Sequence, residues 1–203
     1  MTLVKLCGIK RACDVDCVNA LNPAYAGFVF AQGRSRYIDP ASAADLVSKL
    51  NPDITPVGVF LNAEPAYVAE CCRRSGVKTA QVHGDYGNDY IAEIKRLTGL
   101  PVIQAFRISN STDVERARCS EADLVLLDNG YGGTGETFDW SLLRDVGRDF
   151  LLAGGLTSTN VMNAIDSVHP YAVDVSSGIE TDGLKDPEKM SAFMDAVREA
   201  DSQ

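Results

Sequence analysis

The sequence is short of the side chains that hold metal ions. Its 203 residues include only two histidines, and its six cysteines form no C-x-x-C pair. Zinc and related sites are built from His and Cys side chains at short, regular spacings. This scarcity predicts a protein without a metal centre, so we expect its chemistry to come from its own side chains.

The chain also lacks an excess of positive charge and a long apolar run. It has 19 Lys and Arg against 28 Asp and Glu, which gives a net charge of −9. Nucleic-acid backbones and anionic membrane surfaces favour basic patches, so we expect neither as a partner. No apolar run approaches the ~20 residues needed to cross a bilayer. An acidic chain can still bind a small phosphorylated molecule through backbone N–H groups.

We expect no secretory leader. The opening letters MTLVKLCG show no basic region followed by a longer apolar stretch. Without an export signal, six cysteines are typical of reduced thiols and not of a disulfide framework. The expected location is therefore the cytoplasm. A monomer and a homodimer are both compatible with this composition.

The sequence does contain a repeated alternation of short apolar runs and helical segments. Eight runs have the aliphatic character of buried parallel strands: LVKLCGI, YAGFVF, ITPVGVFL, TAQVHG, PVIQAFRI, ADLVLLD, FLLAGG and YAVDVSSG. Helical periodicity is clear in DPASAADLVSKL, AEPAYVAECCRRSG, STNVMNAIDSV and DPEKMSAFMDAVREA. Eight strand–helix units predict a closed (β/α)8 TIM barrel, forming a single domain over residues 1–203. An open doubly wound sheet is the alternative.

Polar side chains stand at the predicted strand ends. Active sites of (β/α)8 barrels lie at the carboxyl ends of the strands. Those ends carry Cys7, His83, Arg107 and Asp128, while Arg34 and Arg36 follow the second strand. Each of these residues alone could be a loop cap, but the set predicts one site.

The cysteine in KLCGIK has two interpretations. Free cysteine is among the most buried residue types, so Cys7 could be a core thiol. At a strand end it could instead be a reactive group, with Lys5 on the same strand face as a positive neighbour that lowers its pKa. We expect Lys5 to be buried and paired with Asp174, because barrel closure makes the first and last strands neighbours and an unpaired buried lysine is costly.

Glycines end the seventh and eighth predicted strands, in AGGLTSTN and DVSSGIE. Bare backbone there lets N–H groups approach a ligand, and loops at these two strands commonly bind phosphate in this fold. We predict a phosphate site at Gly154, Gly155, Ser176, Ser177 and Gly178. Backbone N–H groups of Gly155, Ser177 and Gly178 are the expected donors, with little help from Lys or Arg. The alternative is that these glycines only form tight turns.

A second glycine motif is interpreted differently. GYGGTG, at residues 130–135, matches the G-x-G-x-x-G pattern of dinucleotide-binding folds. That pattern also requires an acidic residue about 20 positions later, near the end of the next strand. The next strand here, FLLAGG, ends in glycine. We therefore interpret this segment as a flexible rim of the pocket and expect no nucleotide cofactor.

Several of these segments together resemble phosphoribosylanthranilate isomerases. The matching stretches, in chain order, are KLCGIK, GFVF with SRYI, VGVFLN, QVHG, LLD with YGGTGETFDW, AGGLTSTNV and AVDVSSGIE. They extend over nearly the whole chain. The resemblance implies a role in tryptophan biosynthesis and an Amadori rearrangement. In that reaction N-(5-phosphoribosyl)anthranilate becomes 1-(2-carboxyphenylamino)-1-deoxyribulose 5-phosphate.

The resemblance also implies roles for individual residues. The general base of the family falls on Cys7 and its general acid on Asp128. The arginine expected near the anthranilate moiety falls on Arg36. The histidine of the fourth strand and the aspartate of the eighth map to His83 and Asp174, which are expected to contact substrate in the pocket.

The implied reaction needs two proton transfers and no redox step, so no cofactor is expected. An acid protonates the ribose ring oxygen and the ring opens to a Schiff base. A base then removes the proton from C2′, and the resulting enolamine tautomerises to the ketone. Cys7 must therefore form a thiolate, and Asp128 must hold a proton for part of the cycle, which requires partial burial.

Other functions stay open at this point. A metal-using phosphosugar epimerase would need more His and acidic ligands than the chain offers. A Schiff-base aldolase would need a lysine at a strand end, and the only strand lysine expected is Lys5, which points inward below Cys7. A non-catalytic phosphosugar-binding protein would keep the glycine loops yet need neither Cys7 nor Asp128, and an assay of turnover separates it from an enzyme.

Overall fold

Eight parallel strands close into a barrel in the computed structural model of this chain, which describes residues 1–128, 143 and 146–202. Each strand pairs with the next in the sequence, and the eighth pairs with the first. The predicted barrel is thus confirmed. The strands are β1 (Leu3–Cys7), β2 (Tyr25–Val29), β3 (Thr55–Leu61), β4 (Thr79–His83), β5 (Val102–Arg107), β6 (Leu124–Asp128), β7 (Phe150–Ala153) and β8 (Ala172–Val175).

Seven α-helices accompany these strands within the described ranges. They are α1 (Ala12–Leu21), α2 (Pro40–Val47), α3 (Pro65–Ser75), α4 (Asn88–Thr98), α5 (Ser111–Arg118), α6 (Val161–Val168) and α7 (Pro187–Ala200). The helix expected between β6 and β7 and the segment GYGGTG lie outside the described residues. None of the described helices is long and apolar enough to span a membrane.

The starts of α2 and α7 follow the capping pattern of the sequence. The side chain of Asp39 accepts hydrogen bonds from two backbone N–H groups at the start of α2, both at 3.1 Å. Asp186 does the same for α7, at 3.0 and 3.3 Å. Pro40 and Pro187 open these two helices, where a missing N–H costs no intrahelical bond. These caps satisfy N–H groups that have no partner within the helix.

Apolar side chains form two layers, because successive strand residues point to opposite faces. The outer layer packs the strands against the helices and includes the fully buried Phe28 and Phe193. The inner layer fills the barrel with Val57, Ile103, Leu126, Leu151 and their neighbours. Cys7 belongs to this inner layer. A charged group inside the barrel therefore has apolar surroundings and requires a partner.

The segment after β8 is more elaborate than the repeat predicts. A 3-10 turn at Ser177–Ile179 leads into a small antiparallel hairpin of β9 (Glu180–Thr181) and β10 (Leu184–Lys185). The two turn residues, Asp182 and Gly183, have φ values of 51° and 75°. Left-handed backbone at both positions is what a tight two-residue hairpin turn requires. The hairpin brings the side chains of its two ends back over the mouth of the barrel.

Candidate active site

A cavity of about 500 Å³ opens at the carboxyl ends of the strands. Nearly all of the predicted site residues line it: Cys7, Arg36, His83, Asp128, Gly154, Gly155, Asp174, Ser176 and Ser177. Arg107 instead lines an adjoining cavity of about 450 Å³, which shares His83 and Asp128 with the first. Within the described ranges, no three His, Cys, Asp or Glu side chains are grouped closely enough to hold a metal ion.

A buried ion pair lies at the base of the cavity. Lys5 is fully buried, and its Nζ donates to Asp174 Oδ1 at 2.8 Å. The pairing of β1 with β8 sets these two residues opposite each other. The predicted pair is confirmed. Burial lowers the pKa of Lys5, but Asp174 and Cys7 raise it by more, so the net pKa is above its ordinary value. Lys5 therefore keeps its proton.

The thiol of Cys7 lies next to this pair and is only 6% exposed. Burial raises the pKa of Cys7, and Lys5 and Lys185 lower it by less, so the net pKa lies above the ordinary 9.0. The expectation that Lys5 would lower the thiol pKa is wrong in its net effect. The thiolate loses its hydration, and the nearby carboxylate of Asp174 offsets part of the lysine charge. Cys7 is thus a protonated thiol in the free protein at neutral pH.

The imidazole of His83 is neutral at the same site. Burial lowers its pKa, and the charge of Lys5 lowers it further. Gln81 Nε2 lies 2.6 Å from His83 Nε2. Gln81 Oε1 is buried and has no hydrogen-bond partner in the described part of the chain, which leaves an acceptor at the edge of the cavity.

The loops after β7 and β8 contact each other closely. Gly154 and Gly155 have φ values of 98° and 63°, which few other residues adopt. A Cβ on Gly178 would lie 1.9 Å from the carbonyl oxygen of Leu156, so only a glycine lets the two loops approach this closely. Gly178 is not among the residues that line the cavity. Among the described residues, no hydrogen bond uses the backbone N–H of Gly155, Ser177 or Gly178. These three groups stay available as donors.

Three charged side chains meet at the rim. Arg36 Nε and Nη2 donate to the two carboxylate oxygens of Glu180 at 2.7 and 2.6 Å. Lys185 Nζ donates to Glu180 Oε1 at 2.7 Å. Burial raises the pKa of Glu180, but Arg36 and Lys185 lower it by much more, to about 2. Glu180 is therefore ionised at every pH near neutrality.

Sequence reasoning missed Gln81, Glu180 and Lys185. Gln81 lies two residues before His83 and therefore on the same strand face, which was an available signal. The Asp-Gly pair in ETDGLK is a hairpin signal that would have brought Glu180 and Lys185 together. The statement that Lys5 is the only strand lysine is wrong, because the unpredicted β10 contains Lys185.

Comparisons with known proteins point to one family. The family model for N-(5'phosphoribosyl)anthranilate (PRA) isomerase matches residues 4–196, nearly the whole chain. The chain belongs to this family. The family's relative from Acetivibrio thermocellus, an N-(5'-phosphoribosyl)anthranilate isomerase, is 42% identical over 214 residues, covering 99% of this chain and 98% of that protein.

Solved structures of the family share the fold. Phosphoribosyl anthranilate isomerase from Thermotoga maritima is similar with a TM-score of 0.90 and 37% identity, covering 98% of this chain and 100% of that one. A second structure was solved in complex with reduced 1-(o-carboxyphenylamino)-1-deoxyribulose 5-phosphate. It is similar with a TM-score of 0.88 and 36% identity over the same shares.

Proposed function

We propose that this chain isomerises N-(5-phosphoribosyl)anthranilate to 1-(2-carboxyphenylamino)-1-deoxyribulose 5-phosphate, with Cys7 as general base and Asp128 as general acid. The observation that carries the proposal is that a strand-end thiol and a strand-end carboxylate line one cavity together with two glycine loops. β1 and β6 are not neighbours in the barrel. The two groups can therefore approach a bound sugar from different sides.

The chemistry uses the two groups in sequence. Asp128 donates a proton to the ribose ring oxygen, and the nitrogen lone pair opens the ring to a protonated Schiff base. That positive charge lowers the pKa of the neighbouring Cys7 thiol, which gives its proton to water and becomes the thiolate. The thiolate takes the C2′ proton, and the enolamine gains a proton at C1′ as its hydroxyl loses one. Asp128 regains a proton from water before the next cycle. The product is an isomer of the substrate, and no electrons leave it.

Substrate binding is divided among the remaining polar groups. The phosphate binds the N–H groups of Gly155, Ser177 and Gly178, beside Gly154 and Ser176. Supporting this, a relative at 36% identity binds a phosphorylated ligand that is the reduced form of the proposed product. The guanidinium of Arg36 binds the carboxylate of the anthranilate ring. The sugar hydroxyls contact His83, Asp174 and the unpaired oxygen of Gln81. The Gln81 contact is favourable because a buried acceptor without a partner costs about 1–3 kcal/mol.

Two alternatives raised by the sequence lose support. Lys5 is buried, paired with Asp174 and protonated, so it is not the free amine that a Schiff-base aldolase needs. A non-catalytic binding protein has no use for an acid and a base in one cavity. We also propose that the enzyme acts in the cytoplasm, where its six free cysteines stay reduced.

The test is turnover by purified protein without added metal, followed as loss of phosphoribosylanthranilate fluorescence. Cys7→Ser and Asp128→Asn should each lower kcat by roughly 10² or more, because each removes one proton-transfer group while keeping its shape. Substrate affinity should stay close to wild type, since the phosphate loops are untouched. Cys13→Ser is the matched control, because this thiol is exposed on α1.

Three results would count against the proposal. Wild-type protein that binds the substrate without consuming it would make the chain a binding protein. Near-normal kcat in folded Cys7→Ser or Asp128→Asn would remove the assigned roles. A large loss in Cys13→Ser would show that thiol substitution acts through the fold and not through the site.

A further inference from the structure

The hairpin after β8 supplies a carboxylate that fixes the orientation of an arginine in the cavity. Arg36 comes from the loop after β2, far from the hairpin in sequence, and lines the cavity. Glu180 engages it through Nε and Nη2 in a bidentate pair, at 2.7 and 2.6 Å. Such fork-to-fork pairs fix direction as well as distance. Nη1 of Arg36 has no hydrogen-bond partner among the described residues, so this end of the guanidinium is available to a ligand.

Glu180 is itself held from the other side. Lys185 Nζ donates to Glu180 Oε1 at 2.7 Å and to the carbonyl of Ser176 at 2.9 Å. Ser176 Oγ in turn donates to the carbonyl of Cys7 at 3.1 Å. A continuous set of contacts thus joins the end of β1, the end of β8, the hairpin and Arg36. The carboxylate cannot turn away from Arg36 without breaking its contact with a nearly buried lysine.

The backbone beneath the cluster is shaped to admit it. Gly8 follows Cys7 with φ at 88°, and a Cβ there would lie 2.7 Å from Arg36 Cδ and 3.3 Å from Lys185 Nζ. The side chains of Arg36 and Lys185 therefore pack directly against bare backbone. This close approach places the arginine within the same cavity wall as Cys7.

The cluster of Arg36, Lys185 and Glu180 has a net positive charge that can attract an anionic ligand. Arg36 and Lys185 are positive and Glu180 is negative, so the sum is one positive charge at the rim of a chain whose net charge is −9. The Lys185 ammonium donates its hydrogen bonds to Ser176 and Glu180. Arg36 is therefore the charged member of the cluster that faces the cavity. A planar guanidinium with one open edge matches a carboxylate.

We propose that Glu180 is a positioning residue that holds Arg36 facing the carboxylate of the anthranilate ring of the substrate. Lys185 holds Glu180 in turn. This inference rests on the proposed function, because it takes the ring carboxylate of the substrate as the ligand of Arg36. It assigns a role in substrate selection to a hairpin that contributes no acid or base to the reaction.

A surface pair of the same chemistry provides the comparison. Arg73 and Glu70 on α3 also form a bidentate pair, but their side chains are 71% and 50% exposed. The corresponding side chains of Arg36 and Glu180 are 31% and 8% exposed. Removing the exposed pair should change little, because such pairs contribute about 0–1 kcal/mol.

The experiment measures ligand selectivity in Glu180→Gln, with Glu70→Gln as the matched control. The probes are reduced 1-(2-carboxyphenylamino)-1-deoxyribulose 5-phosphate and its phenylamino counterpart, which lacks the ring carboxylate, with dissociation constants from calorimetry. In Glu180→Gln the carboxylate ligand should bind about tenfold or more weakly, the size of a lost charge-assisted contact. The counterpart should bind as it does to wild type. In turnover, KM should rise more than kcat falls.

The outcomes separate the two proposals. Wild-type protein that fails to bind either probe or to consume substrate overturns the proposed function and this inference with it. Normal wild-type turnover combined with equal weakening of both probes in Glu180→Gln, or with no weakening, overturns the positioning role alone. If Glu180→Gln does not fold, Glu180→Gln/Lys185→Met removes the unpaired lysine charge, and the same selective loss is expected there.

Discussion

At the residue scale, Cys7 combines a position suited to catalysis with a pKa that opposes it. The thiol lines the cavity at the end of β1. Burial raises its pKa, while Lys5 and Lys185 lower it by less. A general base that is protonated when the site is free gains its charge only when substrate supplies a positive neighbour. This arrangement limits side reactions of a thiolate in the absence of substrate.

The raised thiol pKa predicts the pH dependence of alkylation of Cys7 by iodoacetamide, because only the thiolate reacts. The rate should rise with pH and still be rising at pH 9.0, the ordinary pKa of a thiol. Lys185→Met should shift this limb to higher pH, because Lys185 lowers the pKa of Cys7. The measurement is the pH profile of the alkylation rate of the Cys7 peptide, followed by mass spectrometry for both proteins.

Lys189→Met is the control for that profile. Its exposed Nζ contacts only the carbonyl of Glu180 among described hydrogen-bond partners, and it does not act on the pKa of Cys7. The limb should not move in this variant. A profile that is flat from neutral pH upward in wild type would contradict a buried, protonated Cys7.

The sequence was sufficient for residues whose place depends on local pattern. Cys7 and Asp128 end apolar runs, and the barrel rule then puts them at one opening. The Lys5–Asp174 pair followed from closure and strand period. The net pKa of Cys7 did not follow, because it depends on how far burial outweighs nearby charges. Glu180 was missed because its role depends on a contact with Arg36, which is 144 positions away in the sequence.

At the element scale, the cavity is shaped by the loops after β7 and β8 and by the hairpin of β9 and β10. The eight strands were predictable because buried parallel strands are continuous apolar runs. The hairpin at residues 180–185 was not, since its strands have two residues each and no periodicity to detect. The contact between the loops after β7 and β8 was also invisible in the sequence, because it joins two backbones.

Gly178→Ala tests that loop contact. A Cβ would meet the carbonyl oxygen of Leu156 at 1.9 Å, so the two loops must separate. The proposed N–H donors for phosphate lie on both loops, and moving them apart should weaken binding of the phosphorylated product analogue by roughly tenfold or more. The measurement is a dissociation constant from calorimetry, with a thermal melt on the same sample.

Gly87→Ala is the matched substitution. A Cβ there would have no heavy atom within 4 Å, and the backbone at this helix start is extended. Affinity should not change. Gly178→Ala protein that binds phosphorylated ligand normally would show that the loops tolerate separation and would exclude their contact as the basis of the phosphate site.

At the scale of the whole molecule, a single ion pair lies where the barrel closes. β1 and β8 are 169 positions apart at Lys5 and Asp174, and their pairing completes the sheet. The two partners differ in environment, since the Lys5 side chain is fully buried and that of Asp174 is 11% exposed at the cavity. An unpaired charge is costlier where water cannot reach it. Loss of Asp174 should therefore destabilise the fold more than loss of Lys5.

Urea unfolding at pH 7 of Lys5→Met, Asp174→Asn and the double variant measures this asymmetry. Each single change should lower the free energy of unfolding, with Asp174→Asn near the ~3–5 kcal/mol typical of a broken buried pair and Lys5→Met below it. The double variant should lose less than the sum of the two, because neither charge is then left alone. Glu93→Gln breaks an exposed pair with Arg96 and should cost at most about 1 kcal/mol. Additive losses in the double variant would mean that the pair does not stabilise barrel closure, and equal losses in the two single variants would mean that water reaches both partners alike.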